Sequence, residues 1–366
     1  MALTLLAFIV ALGALVVVHE LGHFSVAKRV GVKVLRFSVG WGPVVARRKW
    51  GETEYAISAV PLGGYVKMLG EDDIPGIDAA ETETETEVVE DPSRSFEAQP
   101  LGRRMAIVLA GPVMNLLFAF VVYAVLLGTV GMDAPSTLPL VGEVTANSPA
   151  SRAGLVTGDR VLSIDGKPIS SWDQLAATVR ASNGQPLAMR IQRGGAEQTV
   201  EVVPALKETK TLFGESSGNA YLIGVGIATE RKHFGPTQAA WHAGQQTLSV
   251  SYVVLKGFAL MLTGRVSARE LGGPIAIAQT AGEQARAGLE QYLTMLAFLS
   301  INLGVLNLLP IPLLDGGQLA LFGIEAVLRR PLRPRVREAA QNVGLLVLVG
   351  LMVFVLFNDL SRLVQG

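Results

Sequence analysis

Long apolar runs separated by short polar clusters set the pattern of this chain. Ala106 to Val130 is 25 residues without a charge, Tyr292 to Leu314 is 23, and Ala339 to Asn358 is 20. A helix needs about 20 such residues to cross a bilayer, so each run predicts a transmembrane helix. A fourth run, Ala2 to Val18, has 17 residues and leads directly into His19-Glu20-Leu21-Gly22-His23, through which the helix is expected to continue. It has neither the basic n-region nor the small-x-small site of a cleaved signal peptide. Thr247 to Thr263 is apolar but carries Lys256 and is flanked by His242 and Arg265. It reads as an amphipathic helix lying on the membrane surface.

Between residues 138 and 206 the pattern changes to short alternating runs: Leu140 to Val144, Arg160 to Ile164, Ala188 to Gln192 and Gln198 to Val203. Turn signals at Asp165-Gly166 and Gly194-Gly195, with a helix near Trp172 to Ala181, predict a small compact β-rich domain. The expected fold class is a polytopic α-helical membrane protein of four transmembrane helices with this domain inserted. The expected order is a first span at 1–32, a cytoplasmic segment at 33–104, a second span at 105–130 and the inserted domain at 138–206. An outer segment at 207–290 with the surface helix follows, then spans at 291–318 and 339–358.

Lysines and arginines gather at particular span ends, which sets orientation. Lys28, Arg29, Lys33 and Arg36 follow the first span, Arg103 and Arg104 precede the second, and Arg329, Arg330, Arg333, Arg335 and Arg337 lie between the last two. Both termini are therefore expected outside, on the periplasmic side, with 31–104 and 325–338 in the cytoplasm. Composition agrees with a membrane location: half the residues are hydrophobic, 17% are charged, and mean hydropathy is +0.41. A net charge of zero excludes a strongly basic nucleic-acid binder. Glu71 to Asp91 holds ten acidic residues and the repeat Glu81-Thr-Glu-Thr-Glu-Thr-Glu87, which predicts a disordered cytoplasmic loop.

Zero cysteines remove thiolate metal sites and Cys nucleophiles, leaving four histidines and the carboxylates as possible metal ligands. His19 and His23 stand one helical turn apart, where both imidazoles can share one tetrahedral ion. Glu20 between them sits where it can take a proton from a water activated by that ion. The soluble metalloprotease pattern is incomplete, since position 29 is Arg rather than His. Among the carboxylates Asp315, in Asn307-Leu-Leu-Pro-Ile-Pro-Leu-Leu-Asp315-Gly-Gly, follows the third apolar run. In the four-span layout it reaches the same membrane depth as His19 and His23. Pro310 and Pro312 interrupt the helix just before it, and such irregular backbone at membrane depth belongs beside a polar cavity.

These motifs resemble the site-2 protease family of intramembrane zinc metalloproteases, in its bacterial regulator-of-sigma-E branch. Gly63-Gly-Tyr-Val-Lys-Met-Leu-Gly70 and Gly111-Pro-x-x-Asn115 extend the likeness over nearly the whole chain. The stretch Asn147 to Ile169 resembles a circularly permuted bacterial PDZ domain, of which many members of the branch carry two copies and this chain one. The resemblance implies one zinc ion on His19, His23 and Asp315, Glu20 as catalytic base and Asn307 as a substrate-positioning group. It further implies a membrane-reentrant hairpin, with Gly63, Gly64, Tyr65 and Val66 beside the site. The expected activity is zinc endopeptidase cleavage of single-pass membrane proteins in the bacterial inner membrane. The substrate would be an anti-sigma factor already cut on the periplasmic side, or a remnant signal peptide, with a peptide terminus taken up by the PDZ-like groove and the lipid bilayer as surroundings. The rival readings are a metal transporter and a non-catalytic membrane scaffold.

Overall fold

The computed structural model describes residues 1–70, 91–210, 216–267 and 272–365. The expected disordered loop falls at positions outside the described residues. Two compact units emerge: Met1–Val125 with Thr237–Leu262 and Ser267–Gly366, and Leu126–Pro236 with Thr263–Val266.

The first unit begins with α1 (Ala2–Arg29), which buries Ala7, Ala11, Leu15, His19, Gly22 and His23. These positions recur every three or four residues, so they form one stripe along the helix. Next come β1 (Val34–Trp50) and β2 (Thr53–Met68), paired antiparallel around Gly51. Both strands bend, and residues 36–39 pair with 54–57 on one side and with 64–67 on the other. Residues 64–67 thus form an edge with no further strand beside them among the described residues. Apolar side chains of this hairpin, including Phe37, Val66 and Met68, pack with Ala27 of α1 and with Ile107 and Val108 of α2 (Leu101–Thr129).

The second unit is β-rich. Its elements in chain order are β3 (Met132–Pro135), β4 (Val141–Val144), the short α3 (Pro149–Arg152), β5 (Arg160–Ile164), β6 (Lys167–Pro168), α4 (Trp172–Ala181), β7 (Leu187–Arg193) and β8 (Ala196–Val202). They are followed by β9 (Ala205–Lys210), β10 (Ser216–Leu222), β11 (Val225–Ile227) and β12 (Thr229–Lys232). The central sheet runs β6-β5-β7-β8, and its hairpins turn at Asp165-Gly166 and Gly194-Gly195, all four residues having positive φ. Both central residues of a two-residue type I′ turn need that region, hence the Asp-Gly and Gly-Gly pairs. Ser171 caps α4 by accepting from the amide of Gln174, and the helix buries Leu175 and Val179 against Val161, Met189 and Ile191. Strands β11 and β12 return to pair with β4 and β3, so the unit extends well past residue 206.

The chain re-enters the first unit with α5 (Pro236–Leu262), α6 (Pro274–Ala287), α7 (Leu289–Asn307), α8 (Asp315–Leu328) and α9 (Pro334–Gln365). The apolar run from Thr247 is the later part of α5, whose first turns carry polar His242, Gln245 and Gln246. Ala281, Met295 and Leu296 of α6 and α7 close on Ala7, Ala11 and Leu15 of α1. The carboxylate of Asp359 in α9 accepts from the backbone amides of Gly273 and Ile275, both at 2.9 Å, and so caps α6 from outside it. Among the described residues four helices are long and apolar enough to cross a membrane: Ala2–Arg29, Leu101–Thr129, Leu289–Asn307 and Pro334–Arg362. The third ends earlier than its apolar run. Pro310 and Pro312 lack backbone N–H groups, Leu313 sits at φ 81°, and helix resumes only at Asp315.

Candidate metal centre

The α1 stripe brings His19 and His23 to the same side of the helix, facing α2. Their Nε2 atoms lie 3.2 Å apart. Asp315, the first residue of α8, contributes Oδ2 at 3.1 Å from Nε2 of His19 and Oδ1 at 3.5 Å from Nε2 of His23. Two nitrogens each about 2.0–2.1 Å from one tetrahedral zinc stand about 3.3 Å apart, so the spacing suits zinc without rearrangement. Oδ2 of Asp315 is buried and makes no hydrogen bond among the described residues, as a lone pair reserved for a cation would. No other group of three His, Asp or Glu side chains among the described residues is close enough to hold a metal ion.

The far side of each imidazole is also held. Nδ1 of His23 lies 2.9 Å from the carbonyl oxygen of Ile107, which can only accept; Nδ1 therefore carries the hydrogen and Nε2 keeps its lone pair. Nδ1 of His19 lies 3.0 Å from the side-chain amide of Asn115, which is fully buried in α2. Close helix approach makes these contacts possible. A Cβ on Gly111 would collide with Nε2 of His23 and stand 2.8 Å from Cε1 of His19. One on Gly22 would strike the carbonyl of Ala110 and lie 2.9 Å from Cα of Gly111.

A cavity of about 310 Å³ opens on this cluster. Its lining brings together every residue singled out from the sequence: His19, Glu20, His23, Gly63, Gly64, Tyr65, Val66, Asn307 and Asp315. Nδ2 of Asn307 is 3.3 Å from Nε2 of His19. A Cβ on Gly64 would lie 3.2 Å from Cγ of Glu20, which places the 64–67 edge directly against the helix that carries the histidines. Trp41 and Gln318 also line the cavity, and sequence reasoning did not single them out. It also left Asn115 without a role, although the Gly111-Pro-x-x-Asn115 motif was the available signal.

Two histidines and a carboxylate converge in a group that could hold a metal ion, in a chain with four helices of membrane length among the described residues; the comparisons with known proteins give the class, a polytopic zinc metalloprotease. The description "Peptidase family M50" matches residues 7–351. The chain belongs to this family, the site-2 proteases. It is 32% identical to the regulator of sigma-E protease RseP of Salmonella typhimurium, over 98% of each chain. It is 33% identical to the zinc metalloprotease RasP of Geobacillus kaustophilus, again over 98% of each. A solution structure from Geobacillus thermodenitrificans is similar over 20% of this chain and 82% of its own, at 31% identity and a TM-score of 0.18.

Proposed function

We propose that this zinc metalloprotease cleaves single-pass membrane proteins within the bacterial inner membrane after their outer portion has been trimmed. An anti-sigma factor is the substrate type intended, with remnant signal peptides as a second class. The observation that carries this reading is the meeting of the His19–His23–Asp315 cluster, Glu20 and a free strand edge in one cavity at the end of a membrane-length helix.

His19, His23 and Asp315 would hold the zinc, which supplies Lewis-acid polarisation of a carbonyl and activation of water at neutral pH. Glu20, one residue from His19 and lining the same cavity, takes the proton of the attacking water and passes it to the leaving amine. Asn307 presents its amide beside the centre and orients the scissile carbonyl. A transmembrane helix shields its peptide bonds by its own hydrogen bonding, so the substrate must be locally extended. The edge at Gly63, Gly64, Tyr65 and Val66 would receive that extended segment as an added strand. In this reading the β1–β2 hairpin dips into the membrane from the cytoplasmic side and both termini are periplasmic.

The β-rich unit is read as one PDZ-like domain that engages the new terminus left by the first cleavage and excludes untrimmed substrates. The test is cleavage of a single-pass reporter in liposomes, with its outer domain intact or removed. Cleavage of the trimmed form alone is expected. Equal cleavage of both forms would remove the trimming requirement.

A further inference from the structure

A second cavity, of about 510 Å³, opens between the N-terminal ends of α2 and α9 and the C-terminal end of α8. Arg104, Arg329, Arg330 and Arg337 line it, together with Glu97 and Glu325. Four guanidinium charges thus face two carboxylates, and one of these carboxylates is already saturated. Glu325 is buried and accepts from Nη2 of Arg104 at 3.2 Å, Nη2 of Arg337 at 2.6 Å and the amide of Leu332 at 3.0 Å.

We propose that this cavity binds a phosphate group, as an anionic phospholipid presents at the membrane surface. A purely structural ion-pair network would account for Glu325, Arg104 and Arg337, but it leaves three observations over. Nε of Arg104 is buried with no hydrogen-bond partner among the described residues, although every guanidinium N–H is a donor. Arg329 and Arg330, at the mouth, make no ion pair among those residues. Arg329 also holds the left-handed C-cap position of α8 at φ 53°, where glycine is the unstrained choice. An arginine at a strained, left-handed position that lines a basic cavity points to a ligand.

Phosphate suits the donor set, because a guanidinium fork meets two of its oxygens at once. Glu325 fixes Arg104 and Arg337 in advance, which lowers the ordering cost of binding. The location suits a lipid source, since α2 and α9 are both of membrane length and their ends frame the opening. Basic pockets between such helix ends are where anionic headgroups bind.

Arg329→Gly combined with Arg330→Gln tests the proposal without threatening the fold, since glycine relieves the backbone at 329. Purified full-length protein in neutral detergent is titrated with short-chain phosphatidylglycerol, short-chain phosphatidylcholine, glycerol phosphate and inorganic phosphate. Saturable phosphatidylglycerol binding at least about tenfold tighter than phosphatidylcholine is expected, falling at least about tenfold in the double variant while zinc content is kept. Glycerol phosphate or inorganic phosphate binding as tightly as the lipid, with the same loss in the variant, would support the phosphate site and make its source soluble. Equal affinity for the two lipids with no phosphate binding, or a double variant that binds like the parent, would overturn it.

Discussion

The side-chain amide of Asn115 lies 3.0 Å from Nδ1 of His19, on the opposite side of the imidazole from the three converging ligand atoms. If Nε2 of His19 holds zinc as proposed, Nδ1 carries the hydrogen and needs an acceptor. In the structure the NH2 end of the amide faces Nδ1 while its oxygen is buried without a partner; turning the amide pairs that oxygen with Nδ1–H. Asn115 therefore positions His19 through a hydrogen bond. Asn115→Ala is expected to weaken zinc binding by roughly 10–100-fold, and Asn115→Asp, which keeps an acceptor, to recover most of it. Competition for zinc against a chelator series reads both variants; parental affinity in the alanine variant would remove the positioning role.

Gly111 gives a sharper steric prediction. Its alanine variant would place a methyl against Nε2 of His23 and Cε1 of His19, where the proposed zinc is bound. Purified Gly111→Ala should carry almost no zinc. Gly22→Ala instead pushes α1 off the α2 backbone and should lower stability by about 1–3 kcal/mol, the usual cost of overpacking. Metal analysis and thermal melting separate the two outcomes.

The strand edge can be disabled without touching the metal ligands. Gly63 has φ 93°, and a Cβ there would lie 2.8 Å from Cδ1 of Trp41. Forcing a side chain into that region costs about 1–3 kcal/mol and displaces the indole from the cavity. Gly63→Val should retain zinc and lose at least about tenfold in reporter cleavage. A variant that cleaves at the parental rate would separate the hairpin from substrate handling.

In the β-rich unit, Asp159 is buried and bound by Arg193 through two contacts of 2.7 Å. Burial alone would raise its pKa, but the Arg193 guanidinium and the amide of Val156 outweigh burial and hold it below the usual carboxylate value. A lowered folded pKa means that the unfolded chain takes up the proton first as pH falls. The pair's contribution is thus complete above about pH 4 and is lost as pH drops through the folded value. Asp159→Asn should destabilise the unit at about pH 7 and much less at about pH 3. Urea midpoints from hydrogen exchange of peptides in 138–206 check this; an equal penalty at both pH values would contradict it.

Much of the centre was legible in the sequence because local spacing dictates it. Two histidines four apart on a helix must share a face, and Asp315 closes the third apolar run, at the depth that the four-span layout gives to His19 and His23. Contacts set by packing between distant helices were less legible. The reach of Asn115 to His19 depends on how closely Gly22 and Gly111 let α1 and α2 approach. The β unit was underestimated for a related reason: β11 and β12 complete it by pairing with β4 and β3 across some 80–100 residues, and periodicity carries no record of such partners. The double pairing of residues 36–39 rests on bends in both strands and was equally out of reach. Helix α5 began earlier than its apolar run because its first turns are polar.

The central claim is a zinc centre on His19, His23 and Asp315 with Glu20 as its base. It is tested most directly by metal content and cleavage of a transmembrane reporter, measured on the same preparations of the parent and Glu20→Gln. The account predicts about one zinc per chain in both proteins and a fall in cleavage of roughly 10²–10⁴-fold in the variant alone. Undiminished cleavage by Glu20→Gln, or a parent protein that cleaves without zinc, would contradict it.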